Sequence, residues 1–170
     1  MENYVSTPSL SFMQAIKNCF SKYCCFKGRA RRSEYWWFYV LNAILSGAFS
    51  MVFNYKLSAR EEIMSQVDSS VLFDQEKMAA LQAQAESVDS TFMILMVVLG
   101  IITLFLLLPG IGVAVRRLHD IGKSGWWLLL CLVPIVNFIF AIVMLIWTIK
   151  DGEKAANQYG ESPKYILTEA

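Results

Sequence analysis

The sequence predicts a small all-α membrane protein: a helical bundle with about three transmembrane segments and an N-terminal amphipathic helix at the interface. Three observations carry that expectation. Hydrophobic residues make up 56% of the 170 residues and charged ones only 17%, with a mean hydropathy of +0.44; soluble domains run nearer half apolar and a quarter charged. Three runs contain no Asp, Glu, Lys or Arg: 35–55, 91–115 and 126–149. Each approaches or exceeds the roughly 20 residues that an α-helix needs to cross the hydrocarbon core. The charges lie between these runs and alternate in sign along the chain.

Residues 1–34 form a basic leader, with six Lys/Arg against two acids. Within it, Leu10, Phe12, Met13, Ile16, Cys19, Phe20, Tyr23 and Cys24 recur at helical spacing, while Lys17 and Lys22 fall largely elsewhere on the wheel. That pattern predicts an amphipathic helix over 9–25, either lying along the membrane with its lysines toward headgroups or packed against the spans. The polar leader and the lack of a small-residue cleavage site predict that the first apolar run stays as an anchor.

The first span, 35–55, opens with Tyr35, Trp36, Trp37 and Tyr39, the aromatics of a headgroup belt. Ala43 and Gly47, and Ser46 and Ser50, are four apart and offer a small-residue face for a neighbouring helix. Residues 56–90 are acidic, with seven acids against three basic residues. Ser58 and Glu61 sit in a capping-box spacing, and 74–87 is rich in helix formers. One or two short exposed helices are expected there, as a solvated connection.

The second span, 91–115, contains Pro109 followed by Gly110 and Gly112, which predicts a kink or local unwinding. A basic loop over 116–125 follows, and then the third segment, 126–149. Pro134 and Asn137 break that segment near its middle. Either a single kinked span or a re-entrant hairpin results; each half alone is too short to cross, which favours the single span. The distribution of Lys and Arg places the N-terminus and the 116–125 loop in the cytoplasm and 56–90 outside. The 150–170 tail, nearly neutral, does not choose a side.

Several chemistries are disfavoured. Four cysteines and one histidine form no CxxC pair and no metal-ligand spacing, so neither metal nor cofactor is expected. No acid or base lies deep in a span, which weakens a transport role, and three spans would need oligomers to form a pore. The basic residues are juxtamembrane and few, so no nucleic-acid partner is expected.

The candidate site is where two basic motifs converge on one interface. Arg29, Arg31 and Arg32 precede the first span; Arg116, Arg117, His119, Asp120 and Lys123 follow the second. Asp120 is a natural partner for Arg29, Arg31 or Arg32, and the same arginines could present forked donors to a phosphate-sized anion. The expected function is non-enzymatic: binding of anionic membrane lipid, a membrane-protein partner or a second copy of the chain. The alternatives are an oligomeric small-solute transporter or channel component, and an enzyme on a lipid-linked substrate using His119 and Asp120.

The motifs Phe26 to Phe38 (FKGRARRSEYWWF) and Arg116 to Trp127 (RRLHDIGKSGWW), with Pro134 and the tail residues Asn157, Tyr159 and Gly160, closely resemble the domain of unknown function 805 family. The resemblance covers most of the chain and implies a small multi-pass protein of the bacterial inner membrane. It implies no activity. The chain departs from the family in a longer 56–90 segment and in Asn137, where a glycine commonly follows the proline.

Overall fold

The computed structural model describes residues 3–68, 71 and 74–168. Residues 69, 70, 72 and 73 of the expected connection lie outside the described residues. The described chain is mainly helical and divides into two units, Met1–Leu41 with Leu106–Ala170, and Asn42–Phe105. Two long helices, α2 (Arg32–Ser65) and α3 (Gln75–Asp120), contribute to both. Each is long and apolar enough to cross a membrane, and only 6% of each apolar window is buried by protein.

The first unit begins with strand β1 (Asn3–Ser6) and helix α1 (Phe12–Ser21). Ser11 caps α1 in a reciprocal box: its hydroxyl accepts from the Gln14 amide, and the Gln14 side chain accepts from the Ser11 amide. Ala15 and Cys19 are buried, while Met13 stays 71% exposed, so one side of the predicted amphipathic helix packs against protein. The Trp37 indole donates to the Leu10 carbonyl at 3.1 Å and Phe12 meets the Trp37 ring edge-on. Phe38 packs over Gly110, where an added Cβ would stand 3.2 Å from the ring.

Helix α3 passes through Pro109 without interruption, contrary to the expected unwinding. It closes on a Gly-based stop. Gly122, at φ +70°, donates to the His119 carbonyl, and Lys123 donates to the Leu118 carbonyl, the paired bonds of a left-handed helix cap. A 3-10 helix over Gly125–Leu132 follows, and then helix α4, Pro134–Ile149. Pro134 occupies the first turn of α4, where its missing N–H costs nothing.

This break corrects the expectation of a single kinked span over 126–149. Trp127 and Trp147, near its two ends, meet edge-on with ring centroids 5.7 Å apart, and the Lys123 ammonium lies 5.8 Å from the Trp147 ring centre. The segment is a helical hairpin with its apex at Val133. Its return leads to strand β2 (Tyr165–Thr168), which pairs antiparallel with β1 from Asn3↔Thr168 to Ser6↔Tyr165. The helical class therefore carries a two-stranded sheet that joins the two ends of the chain.

In the second unit the described residues 56–65 and 75–90 of the polar connection do not form short helices of their own. They extend the two long helices themselves, α2 reaching Ser65 and α3 starting at Gln75, after Asp74 has accepted from the amides of Glu76 and Lys77. Ser58 lies inside α2, where its hydroxyl donates back to the Tyr55 carbonyl instead of capping. Asp89 of α3 pairs with Lys56 at 3.3 Å and Arg60 at 3.0 Å of α2, and the Lys56 ammonium sits 4.2 Å from the Phe92 ring centre. An added Cβ on Gly47 would meet nothing within 4 Å, so the small-residue face of the first span is unused within the described residues.

Candidate functional site

The two basic motifs meet in the first unit, and they meet carboxylates and carbonyls of the same chain. Asp120, the last residue of α3, is the centre. Its Oδ1 accepts from Arg29 Nε at 2.9 Å and its Oδ2 from Arg117 at 2.5 Å. Asp120 is 3% exposed, Arg29 5% and Arg117 fully buried, so this is a dry two-arginine, one-carboxylate junction.

Each guanidinium also donates to backbone carbonyls, although the buried Arg117 Nε has no hydrogen-bond partner among the described residues. Arg29 donates to Ala155 at 2.8 Å, to Gly160 at 3.3 Å, and to Glu153. Arg117 donates to Trp147 at 3.4 Å, to Thr148 at 3.2 Å, and to Lys150. The leader's arginine thus holds the tail, and the arginine at the end of α3 holds the return of the hairpin. Such planar, multidentate donation is what arginine supplies and lysine does not. Gly152 completes the junction: a Cβ there would collide with the Asp120 carboxylate.

Arg116 turns the other way, to the leader. It donates to Glu34 at 2.9 Å and to the carbonyls of Lys22 at 3.2 Å and Cys25 at 2.8 Å. Glu34 is 3% exposed in the first turn of α2, where the helix dipole favours a carboxylate. The Cys19 thiol lies 3.9 Å from the same Glu34 oxygen, and burial, then that carboxylate, push it up to about 12. Cys19 is thereby an unreactive thiol.

His119 is held on both faces of its role. Its Nδ1 lies 3.1 Å from the Gly28 carbonyl, which assigns the donor to that nitrogen, and its ring stacks on Tyr159 at 3.8 Å and 3°. Burial holds the imidazole below its ordinary value, partly offset by the bond to Gly28. Burial also pushes the Asp120 carboxyl up, against the pull of Arg117 and Arg29. Asn157 bridges the His119 carbonyl at 3.0 Å and Glu153 at 2.7 Å.

Arg31 and Arg32 lie apart from that junction, at the start of α2. Arg31 donates to the Thr7 hydroxyl and the carbonyls of Thr7 and Pro8. Arg32 donates to the Ile149 carbonyl at 3.0 Å and faces Asp151 at 3.2 Å, both side chains more than two-fifths exposed. Lys164 and the Tyr165 hydroxyl donate to the same Asp151 carboxylate, at 2.7 and 3.0 Å. Arg31, Arg32 and Lys164 line a cavity of 190 Å³ with Ser9, Ser33, Asp120 and Asp151. Lys123 stands outside both groups, over Trp147.

The structure therefore divides the eight residues proposed from sequence. Arg29, Arg117 and Asp120 form one junction and His119 adjoins it; Arg116 forms a second with Glu34; Arg31 and Arg32 open onto a cavity; Lys123 joins none of these. Sequence reasoning missed Glu34, Asp151, Glu153 and Lys164. Glu34 had a signal, as the sole acid between the arginine run and the first apolar run.

Residues 23–161 match the family described as Protein of unknown function (DUF805). The chain belongs to that family. Both junctions and the cavity draw on the matched region. The chain is 29% identical over 154 residues to Inner membrane protein YhaI of Escherichia coli (strain K12), covering 91% of this chain and 95% of the relative. Inner membrane protein YhaH of the same strain is likewise 29% identical over 154 residues, covering 90% and 95%. No solved structure matches the chain. With the two long apolar helices, these findings establish a DUF805 protein of the inner membrane.

Proposed function

We propose that this DUF805 protein is a non-enzymatic membrane protein whose cytoplasmic cap binds an anionic phospholipid headgroup. The cavity at the start of α2 carries the reading. Of the basic motifs, Arg29, Arg116 and Arg117 are buried and bonded inside the fold, whereas Arg32, Lys164 and Arg31, the last also bonded to Thr7 and Pro8, border a 190 Å³ space with Ser9 and Ser33. The N-terminus of a helix adds its own positive potential there. Asp120 is already bound to two arginines, and Asp151 occupies the donors of Arg32 and Lys164 only at an exposed edge, where a phosphate can compete. The use of His119 and Asp120 as structural partners argues against their serving as an acid–base pair.

The reading keeps the orientation inferred from charge, with the basic leader in the cytoplasm. Juxtamembrane basic side chains gain about 1 kcal/mol each from an anionic leaflet, so removal of all three should weaken headgroup binding roughly a hundredfold. The test is native mass spectrometry of the purified protein with phosphatidylglycerol against phosphatidylcholine. Retention of the anionic lipid by wild type and its loss in Arg31→Gln/Arg32→Gln/Lys164→Gln is the expected result. Equal retention by the triple variant contradicts the reading.

A further inference from the structure

The hairpin of Gly125–Ile149 is the largest feature that the cap does not explain. Its ends are fastened together: Trp127 touches Trp147, and Arg117 holds the carbonyls of Trp147 and Thr148. Its arms are short. Eight residues of 3-10 helix reach about 16 Å, and sixteen of α-helix about 24 Å, against about 30 Å of hydrocarbon. Its tip is largely apolar, with Leu132, Ile135 and Phe138 77%, 85% and 82% exposed and Asn137 exposed one turn beyond the apex. No charged residue falls between Gly125 and Ile149.

We infer that this hairpin is a re-entrant wedge, seated among the acyl chains of the same leaflet from which it starts, and that both chain ends therefore lie on one side of the membrane. The backbone permits it. Both arms are helical, so most of their amides bond within the arm, and the apex is closed by Val133 donating to Leu130 and Asn137 donating to Val133, which limits the bare backbone entering the hydrocarbon to the first turn of α4. Trp126, Trp127 and Trp147 mark the level of the headgroups at the two ends. Pairing of β1 with β2 points the same way, since Asn3 reaches Thr168 only if the chain crosses an even number of times. Helices α2 and α3 supply two crossings, and the hairpin adds none.

Acyl chains are the occupant these observations select. The exposed surface is apolar apart from Asn137 and carries no charge, and no small-residue pattern marks it for a protein groove. The proposal is independent of headgroup binding in the cavity.

The test uses the full chain in cells. Green fluorescent protein, which folds in the cytoplasm, and alkaline phosphatase, which works only outside, are fused in turn to each end. The same reporter should be active at both ends; activity of opposite reporters overturns the proposal. Ile135→Cys is then placed in a chain with Cys24, Cys25 and Cys131 replaced by Ser, beside a Lys154→Cys control. A membrane-impermeant maleimide should label position 154 in inverted vesicles and leave position 135 at background from both faces. Labelling of position 135 from outside would mean a full crossing, and labelling from inside a hairpin in water. Either result removes the wedge.

Discussion

The cap formed by 1–41 and 106–170 and the helical pair of 42–105 solve opposite problems. In the cap every fully or nearly buried arginine is matched to a carboxylate and to several carbonyls, and the eight buried hydrophobic core residues among those described all lie there. In the helical pair almost nothing is buried, and the polar ties are Lys56 and Arg60 to Asp89, at the exposed end. Lipid completes the surface of the apolar stretches of the second unit, so those stretches need only length and apolarity. The cap must define its own interior, and does so with directional bonds that join segments more than ninety residues apart.

That contrast is broken most severely at Asp120. Replacement by Ala leaves Arg29 and Arg117 buried without their shared partner, a loss of about 3–5 kcal/mol. Asp120→Ala should release the tail and the hairpin return together, read as new tryptic cleavage at Lys150 and Lys154 in membranes, while α2 and α3 remain inserted. A tail as resistant as in wild type would mean that the junction contributes little.

The next effect concerns pH. His119 is held below its ordinary 6.5 by burial, so the unfolded chain takes up a proton more readily than the cap does. The associated stability is present above pH 6.5 and is lost as the pH falls below it. Thermal unfolding of the cap, followed by Trp fluorescence, should shift down between pH 7 and about 5.5. His119→Gln should flatten that dependence.

The smallest effect belongs to the second unit. Asp89→Asn removes two partly exposed ion pairs, worth below about 1 kcal/mol in total. Insertion and cap stability should not change measurably, as judged by membrane extraction and by the same unfolding assay.

The same division governs what could be read from sequence. Both spans were legible because an unbroken apolar run of sufficient length has few other fates, and α1 because its apolar residues recur at helical spacing behind Ser11. The convergence of the arginine motifs followed from Asp120 and the flanking spans. Their internal use did not, since a guanidinium bonded to the Ala155 or Thr148 carbonyl leaves no mark on those residue types. The β1–β2 pairing was equally hidden: its strands are four residues each and separated by most of the chain. Pro134 was visible, but a proline looks alike inside a kinked span and at the first turn of a new helix; the contacts of Trp127 and Trp147 decide between them.

Hydrogen exchange in the reconstituted protein tests the central claim most directly. The Ala30 amide donates to the Arg116 carbonyl and the Glu153 amide to the Asp120 carbonyl, so leader and tail are both bonded to the end of α3. Both amides should be strongly protected in wild type and should lose protection together in Asp120→Ala. Rapid exchange at either in wild type, or loss at one without the other, would show that the arginines do not unite these segments.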